Sequence, residues 1–313
     1  MMMVCGEALL DVFAAGDTRT GMTLDANVGG SPLNVAVGLA RLGQPVGFFS
    51  AVSTGFAGER LMRALVAEGV DTRAIARLAA PTTLSLIGLD AQGVPSYAFY
   101  GEGCADRLLQ ASDMARVPQG LSAVNVGSYA TVVEPTASAL RALVERERGR
   151  GRALIAYDPN IRLNVEPDLQ RWRDQLAWMH TRTDLLKVSE EDLELLQPGV
   201  VLDSFAAHAL AHGARAVVVT RGGQGATGWT AQGRVTTPPV PVTVVDTVGA
   251  GDTFQAALLT WLAENDALNA PALGALSNEA LGNALAFAAQ AAAITCSRRG
   301  ADMPRRAELG TRA

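Results

Sequence analysis

The sequence predicts an α/β protein built on a mostly parallel central sheet with helices on both faces. Short apolar strands alternate with helical stretches over most of the 313 residues, as in repeated strand–helix units. Two segments, residues 12–29 and 82–101, depart from this alternation and have the pattern of a small antiparallel sheet. Neither an internal repeat nor a Pro/Ser-rich linker divides the chain. We therefore predict a single three-layer domain over residues 1–313, with the small sheet as a lid.

Local signals place the elements of the first half. An apolar run over residues 4–10 ends at Asp11 and predicts the first strand. Ser31 as N-cap, Pro32 in the first turn and Gly43 as the stop predict a helix over residues 31–42. The elements that follow are a strand at 45–50, a helix at 58–68, and a hairpin of strands 82–90 and 95–100 with residues 91–93 at its turn.

From Leu121 the strand–helix alternation resumes. Ser189 and Asp192 resemble a capping box at the start of a helix. The predicted strands are 123–126, 153–157, 185–188, 216–220, 226–229 and 234–236. Two long helices at 249–263 and 279–294 complete the pattern, and the alanine content of the second predicts close packing.

Composition excludes several classes of protein. The chain is 49% hydrophobic and 18% charged, which excludes disorder, and no apolar run approaches the ~20 residues that span a bilayer. A net charge of −5 with interspersed signs gives no indication of a nucleic-acid surface. Three widely spaced cysteines and a start without a signal-peptide pattern favour the cytoplasm. Lys187 is the single lysine beside 25 arginines, and no glycine pattern precedes it, which excludes a P-loop.

The stretch Asp246-Thr-Val-Gly-Ala-Gly-Asp252 carries the strongest chemical signal. Gly249 and Gly251 allow bare backbone to approach a ligand at the start of a helix, where unpaired N–H groups and the helix dipole form an anion hole. Asp252, in the first turn, is placed to take a proton from a hydroxyl while the N–H groups hold negative charge. An ordinary glycine-rich helix cap with an acidic first turn is the alternative.

A second stretch, Gly29-Gly30-Ser-Pro-Leu-Asn34, leads two glycines into a helix whose first turn presents a carboxamide. This arrangement suits close contact with a polyhydroxylated ligand. Together the two stretches resemble the two signatures of the PfkB-type, ribokinase-like sugar kinases, most closely those of bacterial fructokinases. Further matching pieces include Gly6-Glu7-Ala-Leu-Leu-Asp11, Asp158-Pro-Asn-Ile-Arg162 and Arg298-Arg-Gly-Ala301, so the resemblance covers nearly the whole chain.

The resemblance implies roles for the residues that match the family. Asp252 is expected to be the catalytic base that deprotonates the sugar hydroxyl, and the N–H groups of Gly249, Ala250 and Gly251 are expected to be the anion hole for the transferred phosphoryl group. Asp11, Gly30 and Asn34 match positions that hydrogen-bond sugar hydroxyls. Asp246, with the carbonyl of Val248, matches a site where many members bind a monovalent cation such as K⁺.

The nucleotide side departs from the family in two positions, one of which is Ala289, where relatives often have an asparagine near the adenine. The Asn-x-x-Glu motif, linked to Mg²⁺ and phosphate, falls at 187–190, so Glu190 matches whereas Lys187 replaces the asparagine. A lysine ammonium can reach the phosphates of ATP as a point charge. The run Thr220-Arg-Gly222-Gly-Gln-Gly225 resembles the glycine-rich segment that lies along the nucleotide. The resemblance therefore implies ATP and Mg²⁺ as cofactors.

Several features bear on the acceptor sugar. Arg162 is typical of fructokinases and of ketodeoxygluconate kinases, since a guanidinium can reach hydroxyls, a carboxylate or phosphate. Tyr97 and Tyr100 end the predicted lid, and the following Ala-Asp-Arg is close to the fructokinase pattern. We therefore expect D-fructose, phosphorylated at a primary hydroxyl. Ketodeoxygluconate, ribose and aminoimidazole riboside remain alternatives.

Two alternative functions belong to other classes of protein. A non-catalytic sugar- or nucleotide-binding regulator on the same fold would not need Asp252 beside an intact anion hole. An NAD-dependent dehydrogenase would need Gly-x-Gly-x-x-Gly after the first strand, where the chain has Asp11-Val-Phe. The expected partners are thus a sugar and ATP, without nucleic acid or membrane, and a homodimer paired through exposed lid edges is plausible.

Overall fold

The structure, a computed structural model, describes residues 1–89 and 95–310, apart from the side chains of residues 89 and 95–97. Its main feature is an eight-stranded sheet in the order β14-β13-β12-β11-β10-β9-β1-β4. Neighbouring strands from β4 to β12 are parallel, whereas β13 and β14 add an antiparallel edge. The strands are β1 (Met2–Cys5), β4 (Val46–Phe49), β9 (Ala123–Gly127), β10 (Leu154–Asp158), β11 (Leu185–Ser189), β12 (Ala216–Thr220), β13 (Ala226–Thr230) and β14 (Gly233–Thr237).

Helices cover both faces of this sheet. They are α1 (Ser31–Arg41), α2 (Phe56–Ala67), α3 (Thr136–Arg150), α4 (Leu169–His180), α5 (Glu190–Leu196), α6 (Leu202–Ala211), α7 (Ala250–Glu264), α8 (Ala270–Gly274) and α9 (Asn278–Cys296). In the described ranges none of them is long and apolar enough to cross a membrane. As predicted, Ser189 caps α5, and its hydroxyl accepts a hydrogen bond from the N–H of Asp192.

The core consists of two layers, because successive residues of a strand point to opposite faces of the sheet. In β10, Leu154 and Ala156 pack into the layer that contains α1, α7 and α9. Ile155 and Tyr157 pack into the layer that contains α3 and α4. Burial on both faces explains why the parallel strands appear in the sequence as continuous apolar runs.

A small sheet of four strands lies beside the carboxyl ends of the parallel strands, in the order β3-β2-β7-β8. Its strands are β2 (Leu9–Asp17), β3 (Met22–Gly29), β7 (Leu84–Leu89) and β8 (Pro95–Tyr100), so it includes the predicted segments 12–29 and 82–101. The β2–β3 and β7–β8 pairs are antiparallel, and a parallel β2–β7 pair joins them. The predicted turn at 91–93 lies outside the described residues. A separate two-stranded parallel sheet pairs β5 (Ala51–Ser53) with β6 (Ala76–Leu78).

The prediction of one strand over residues 4–10 was wrong. The strand is interrupted at Gly6, so that β1 belongs to the central sheet and β2 to the small sheet. Gly6 has a φ of +144°, and a Cβ there would lie 2.5 Å from a side-chain carbon of Pro32. The end of β1 and the start of β2 are both buried, so the apolar run in the sequence continues across the break. This break places Glu7 at the carboxyl edge of the central sheet.

Candidate active site

A cleft of about 460 Å³ separates the carboxyl edge of the central sheet from the small sheet. The parallel strands end on the same edge, so the loops after them reach one place although they are far apart in sequence. Residues of the cleft that the sequence predicted are Asp11, Gly30, Asn34, Arg162, Val248, Gly249, Gly251 and Asp252. We call these eight the cleft residues.

Asp252 lies buried in the first turn of α7, and its carboxylate has two side-chain donors from α1. The hydroxyl of Ser31 donates to Oδ1 at 2.6 Å, and the Nδ2 of Asn34 donates to Oδ2 at 2.9 Å. Burial raises the pKa of Asp252, while these hydrogen bonds and the positive charges of Arg162 and Lys187 oppose that rise. The carboxylate is therefore oriented and held within a low-dielectric site, as a general base requires.

Ser31 differs from its predicted role. The N-cap of α1 is Gly30, which has no side chain to cap the helix, and Ser31 is the first helical residue. Its hydroxyl is directed across the cleft to Asp252 instead. Asn34, as predicted, is presented from the first turn of the same helix.

The loop before α7 has the backbone geometry of an anion site. Gly249 is the N-cap of α7 with a φ of +77°, in the left-handed region that favours glycine. The N–H of Ala250 donates to the carbonyl of Thr247 at 3.2 Å, whereas those of Gly249 and Gly251 have no hydrogen-bond partner in the described part of the chain. Two of the three predicted donors are thus free toward the cleft, and Ala250 is not.

The segment after α9 supports this loop. Gly300 donates its N–H to Oδ2 of Asp246 at 2.8 Å, and Val248 donates to Oδ1 at 3.0 Å. A Cβ on Gly249 would lie 2.6 Å from the Cβ of Ala301, so the two backbones are in close contact. Arg41 at the end of α1 donates to the carbonyl of Met303 at 2.7 Å. The anion-site loop is therefore fixed from behind by residues far along the chain.

Close approach of backbones also fixes the opposite wall. A Cβ on Gly29 would lie 2.1 Å from Oδ2 of Asp11, and a Cβ on Gly30, whose φ is +106°, would lie 2.8 Å from the carbonyl oxygen of Glu7. Burial raises the pKa of Asp11, with the charge of Asp252 adding to the effect. The paired glycines therefore allow the Asp11 carboxylate and the Glu7 backbone to meet the start of α1.

Arg162 is the cationic side chain in the wall of the cleft. Its positive charge opposes the raised pKa values of Glu7, Asp11 and Asp252, so it faces all three carboxyl groups. Its guanidinium donates to the carbonyl of Ile161 at 2.8 Å. No carboxylate lies within ion-pair distance of Arg162 in the ranges that the structure describes. The guanidinium is therefore available to a ligand.

Lys187 is 4% exposed and lies at the carboxyl half of β11. Its ammonium donates to Oδ2 of Asp158 at 2.6 Å, from the neighbouring strand β10. A Cβ built on Gly251 would lie 3.3 Å from Nζ. The single lysine is therefore beside the anion-site loop, as a phosphate contact requires.

The other predicted nucleotide contacts lie at the carboxyl ends of β11 and β12. We call Glu190, Thr220, Gly222 and Gly225 the nucleotide-side residues. Glu190, in the first turn of α5, pairs with Nε of Arg221 at 3.0 Å, and Arg221 also donates to Gln224 at 2.6 Å. Gly222 and Gly225 both have positive φ, and a Cβ on Gly225 would lie 2.1 Å from the carbonyl oxygen of Thr237. These residues do not line the cleft.

The aromatic residues of the small sheet are placed differently from the prediction. Tyr100 is 60% exposed and points away from the cleft. Phe99, one residue earlier, lines the cleft and makes an edge-to-face contact with Tyr129 at 5.5 Å between ring centroids. Side chains alternate between the two faces of a strand, so only one of two neighbours can face the ligand. Tyr97 lies in β8, but its side chain is outside the described residues.

Sequence reasoning missed several polar residues of the cleft. Glu7 is buried, burial raises its pKa to about 8, and its Oε2 has no hydrogen-bond partner in the described ranges. Asn160, in the motif Asp158-Pro-Asn-Ile-Arg162, lines the cleft with a φ of +40°. This set also includes Ser85, Ser128, Tyr129, Asn164 and Thr247. The motif around Asn160 was a signal that could have found it, whereas nothing in the sequence distinguishes Ser85 or Ser128.

Comparisons with known proteins identify the family of this chain. A fructokinase of Rhizobium leguminosarum bv. trifolii is 36% identical over 283 residues, covering 90% of this chain and 86% of the relative. A crystal structure of a Xylella fastidiosa fructokinase with bound ATP superposes with a TM-score of 0.87 at 26% identity, covering 98% of this chain and 96% of that chain. A model of the protein family described as "pfkB family carbohydrate kinase" matches residues 1–307. This chain therefore belongs to the pfkB family of carbohydrate kinases.

Proposed function

We propose that this chain is an ATP-dependent fructokinase, which transfers the γ-phosphoryl group of ATP to a primary hydroxyl of D-fructose. The observation that carries the proposal is the position of the Asp252 carboxylate. It is buried in the cleft, held by Ser31 and Asn34, and adjoins the free N–H groups of Gly249 and Gly251. A base and an anion site at one helix start are the two parts that phosphoryl transfer needs from a protein.

In the first part of the mechanism Asp252 takes the proton of the attacking hydroxyl. Its raised pKa makes the carboxylate a better proton acceptor than a free aspartate. The hydrogen bonds from Ser31 and Asn34 fix the direction of the carboxylate, so one orientation faces the sugar. As the proton moves to Asp252, the hydroxyl oxygen becomes the nucleophile for the γ-phosphorus.

In the second part the growing negative charge on the transferred group is met by fixed donors. Gly249 and Gly251 supply N–H groups at the positive end of α7, and Lys187 supplies a full positive charge behind them. Ala250 contributes to this charge stabilisation through the helix dipole, since its own N–H is used by Thr247. These groups are in place before ATP arrives, so no reorganisation is needed during transfer.

Fructose is supported by the cleft and by the relatives. Asp11, Asn34 and the Gly30 backbone offer acceptors and donors to ring hydroxyls, and Arg162 adds a free guanidinium. The Rhizobium relative is a fructokinase, and so is the Xylella protein whose structure contains ATP. A structure of a Vibrio cholerae fructokinase, 24% identical with a TM-score of 0.80, contains fructose, ADP and calcium ion.

Two ions fit this chemistry. Mg²⁺ is commonly bound through one or two carboxylates, water and substrate phosphates, and the partly exposed carboxylate of Glu190 is a suitable donor. Bound Mg²⁺ would neutralise phosphate charge. The carboxylate of Asp246, which accepts the N–H groups of Val248 and Gly300, would together with the carbonyl of Val248 suit a monovalent cation such as K⁺ near the anion site.

The small sheet is proposed to act as the lid. Asp11, Ser85 and Phe99 project from it into the cleft, so its movement toward α7 would exclude water from the transfer. Its outer face is apolar and exposed at Leu24, Leu84 and Tyr100, which supports a homodimer formed through the lid. ATP hydrolysis without sugar should stay far below the kinase rate, and light scattering should give twice the chain mass.

The decisive experiment is a phosphorylation panel with ATP and Mg²⁺, with and without K⁺. Its sugars are fructose, ribose, ketodeoxygluconate, aminoimidazole riboside and glucose. We expect the highest kcat/KM for D-fructose, by ~10²-fold or more, because an unfilled hydrogen bond in a polar pocket is costly. Arg162→Ala should lower fructose turnover substantially.

Other outcomes of the panel would change the proposal. Preference for ketodeoxygluconate would make Arg162 a carboxylate clamp. Sugar or ATP binding without any phosphorylation would replace the kinase by a regulator on the same fold.

A further inference from the structure

We propose that Asp158 is a positioning residue, which keeps Lys187 charged and directs its ammonium to the phosphoryl-binding loop. This inference rests on the proposed kinase function. It concerns a residue that has no role in the mechanism described above and that lies 29 positions from Lys187 in sequence. Three observations support this inference. The Lys187–Asp158 pair is buried, Lys187 has no other ion-pair partner in the described part of the chain, and its Nζ lies close to Gly251.

The pair is almost completely withdrawn from water. The side chains of Lys187 and Asp158 are 5% and 8% exposed, and Nζ of Lys187 lies 2.6 Å from Oδ2 of Asp158. A buried ammonium without a partner favours its neutral form, because burial penalises the charged one. Asp158 therefore stabilises the protonated form of the only lysine.

Lys187 has no second ion-pair partner among the residues that the structure describes. In the described part of the chain, Asp158 alone lies within ion-pair distance of Nζ. The positive charge of Lys187 lowers the pKa of Asp192 on α5 and of Asp252 on α7, and the charge of Arg162 has the same effect on both. The Oδ1 of Asp192 already accepts the N–H of Ile161 at 3.1 Å.

The direction of the ammonium connects the pair to the reaction. Nζ lies 3.3 Å from the point where a Cβ of Gly251 would be, so any side chain there would meet the lysine. Gly251 has one of the two free N–H groups at the start of α7. The second oxygen of Asp158, Oδ1, is buried without a hydrogen-bond partner in the described ranges, so the carboxylate holds Lys187 through Oδ2 alone.

The pH dependence of Asp158→Asn tests this role. With the carboxylate gone, the buried Lys187 should lose its proton as the pH rises, so kcat/KM for ATP should fall about 10-fold between pH 7 and pH 9. The wild type should lack this alkaline loss. In Asp158→Asn/Lys187→Arg the loss should disappear, because a guanidinium stays charged in this range.

Asp184→Asn is the matched control. Asp184 is also buried, adjoins the opposite end of β11, and pairs with Arg148 at 3.0 Å far from the cleft. Its loss should lower stability without producing an alkaline loss of activity. If Asp158→Asn shows the same pH profile as the wild type, Asp158 is only structural and the inference is overturned.

The single lysine allows a second measurement that does not depend on a variant. Wild-type protein labelled with ¹³C at the lysine ε-carbon should give one lysine signal in NMR spectra. A non-hydrolysable ATP analogue with Mg²⁺ should shift this signal, whereas adenosine should not, because only the analogue brings phosphates. Equal shifts with both, or none, would refute the inference even if Asp158→Asn does not fold.

The failures are distinguishable. A wild type that phosphorylates no sugar refutes the proposed function. An active wild type with an unshifted lysine signal, or with an Asp158→Asn variant that keeps the normal alkaline profile, refutes only the role of Asp158.

Discussion

The cleft residues and the nucleotide-side residues differ in how far their geometry is complete in the protein alone. Asp252 has both carboxylate oxygens engaged, and Gly29 and Gly30 are in close contact with Asp11 and the Glu7 backbone. Glu190, by contrast, is partly exposed and is paired with Arg221, which must share it with any metal ion. The residues proposed to bind the sugar are thus held in place by the protein alone, whereas on the proposed nucleotide side the carboxylate of Glu190 is less fixed.

This difference agrees with the chemistry of the two ligands. A sugar is neutral, so it is recognised by the positions of many hydrogen-bonding groups, and these must be fixed beforehand. A nucleotide with its metal ion carries charges that can reorganise surface side chains. We therefore expect substitutions around the cleft to have large effects and substitutions on the nucleotide side to have small ones.

The largest effect is expected for Asp252→Asn. Asparagine retains the shape and the contact with Ser31 but cannot take a proton, so kcat should fall ~10²–10⁴-fold while sugar binding survives. Steady-state kinetics and calorimetric sugar binding would check this. Asp246→Asn is the comparison, since Asp246 lies at the far side of the same loop. Near-normal turnover of Asp252→Asn would remove the base from the mechanism.

A smaller effect, on the sugar, is expected for Gly30→Ala. The φ of +106° and the 2.8 Å approach to the Glu7 carbonyl leave no room for a methyl group. A backbone strain of about 1–3 kcal/mol should move the wall of the cleft and raise KM for the sugar more than KM for ATP. Gly43→Ala, with a φ of +82° and open space around it, is the matched control. Equal effects of the two variants on sugar KM would contradict the tight fit at Gly30.

The acid limb of the pH–rate profile sharpens the comparison further. Asp252 must be deprotonated to accept a proton, so activity should fall as the pH drops through its pKa, which burial raises. Ser31→Ala removes a donor that lowers this pKa, so the limb should move to higher pH. We expect a shift of about one to two pH units, because a hydrogen bond to a charged group contributes about 1.5–3 kcal/mol. An unmoved limb would mean that another group titrates.

The smallest effect is expected for Arg221→Ala on the nucleotide side. This partly exposed pair with Glu190 should contribute at most about 1 kcal/mol, and its loss frees Glu190 for Mg²⁺. KM for ATP should change less than about 5-fold in either direction, and KM for fructose should not change. A loss of activity comparable with that of Asp252→Asn would show that the nucleotide side is as preorganised as the cleft.

The sequence predicted those parts of the fold whose cause is local. Strands β9 to β14 were placed within a residue or two, because burial on both faces or a hairpin partner gives a clear pattern. The first strand was misjudged, since β1 and β2 are both apolar and only the φ of Gly6 separates them. Tyr100 was misplaced because a phase error of one residue reverses the face of a strand.

For the site, the sequence predicted what lies within single motifs. Asp252, Asn34 and Gly30 were identified because each stands beside glycines at a helix start. The hydroxyl of Ser31 was assigned to its own helix, although it serves a carboxylate 221 positions away. The pairing of Lys187 with Asp158 depends on two neighbouring parallel strands, and the spacing of residues in the sequence does not determine strand order.

The support of the anion-site loop by Gly300, Ala301 and Met303 has a consequence for the synthesis of the enzyme on the ribosome. Cleft residues such as Asp11 and Asn34 emerge early, whereas the segment that fixes Gly249 and Asp246 emerges some 270 residues later. At about 5–20 residues per second this delay is on the order of tens of seconds. A nascent chain thus has the early cleft residues long before the anion-site loop is supported, so we expect ATP turnover to begin only after the segment that follows α9 has emerged.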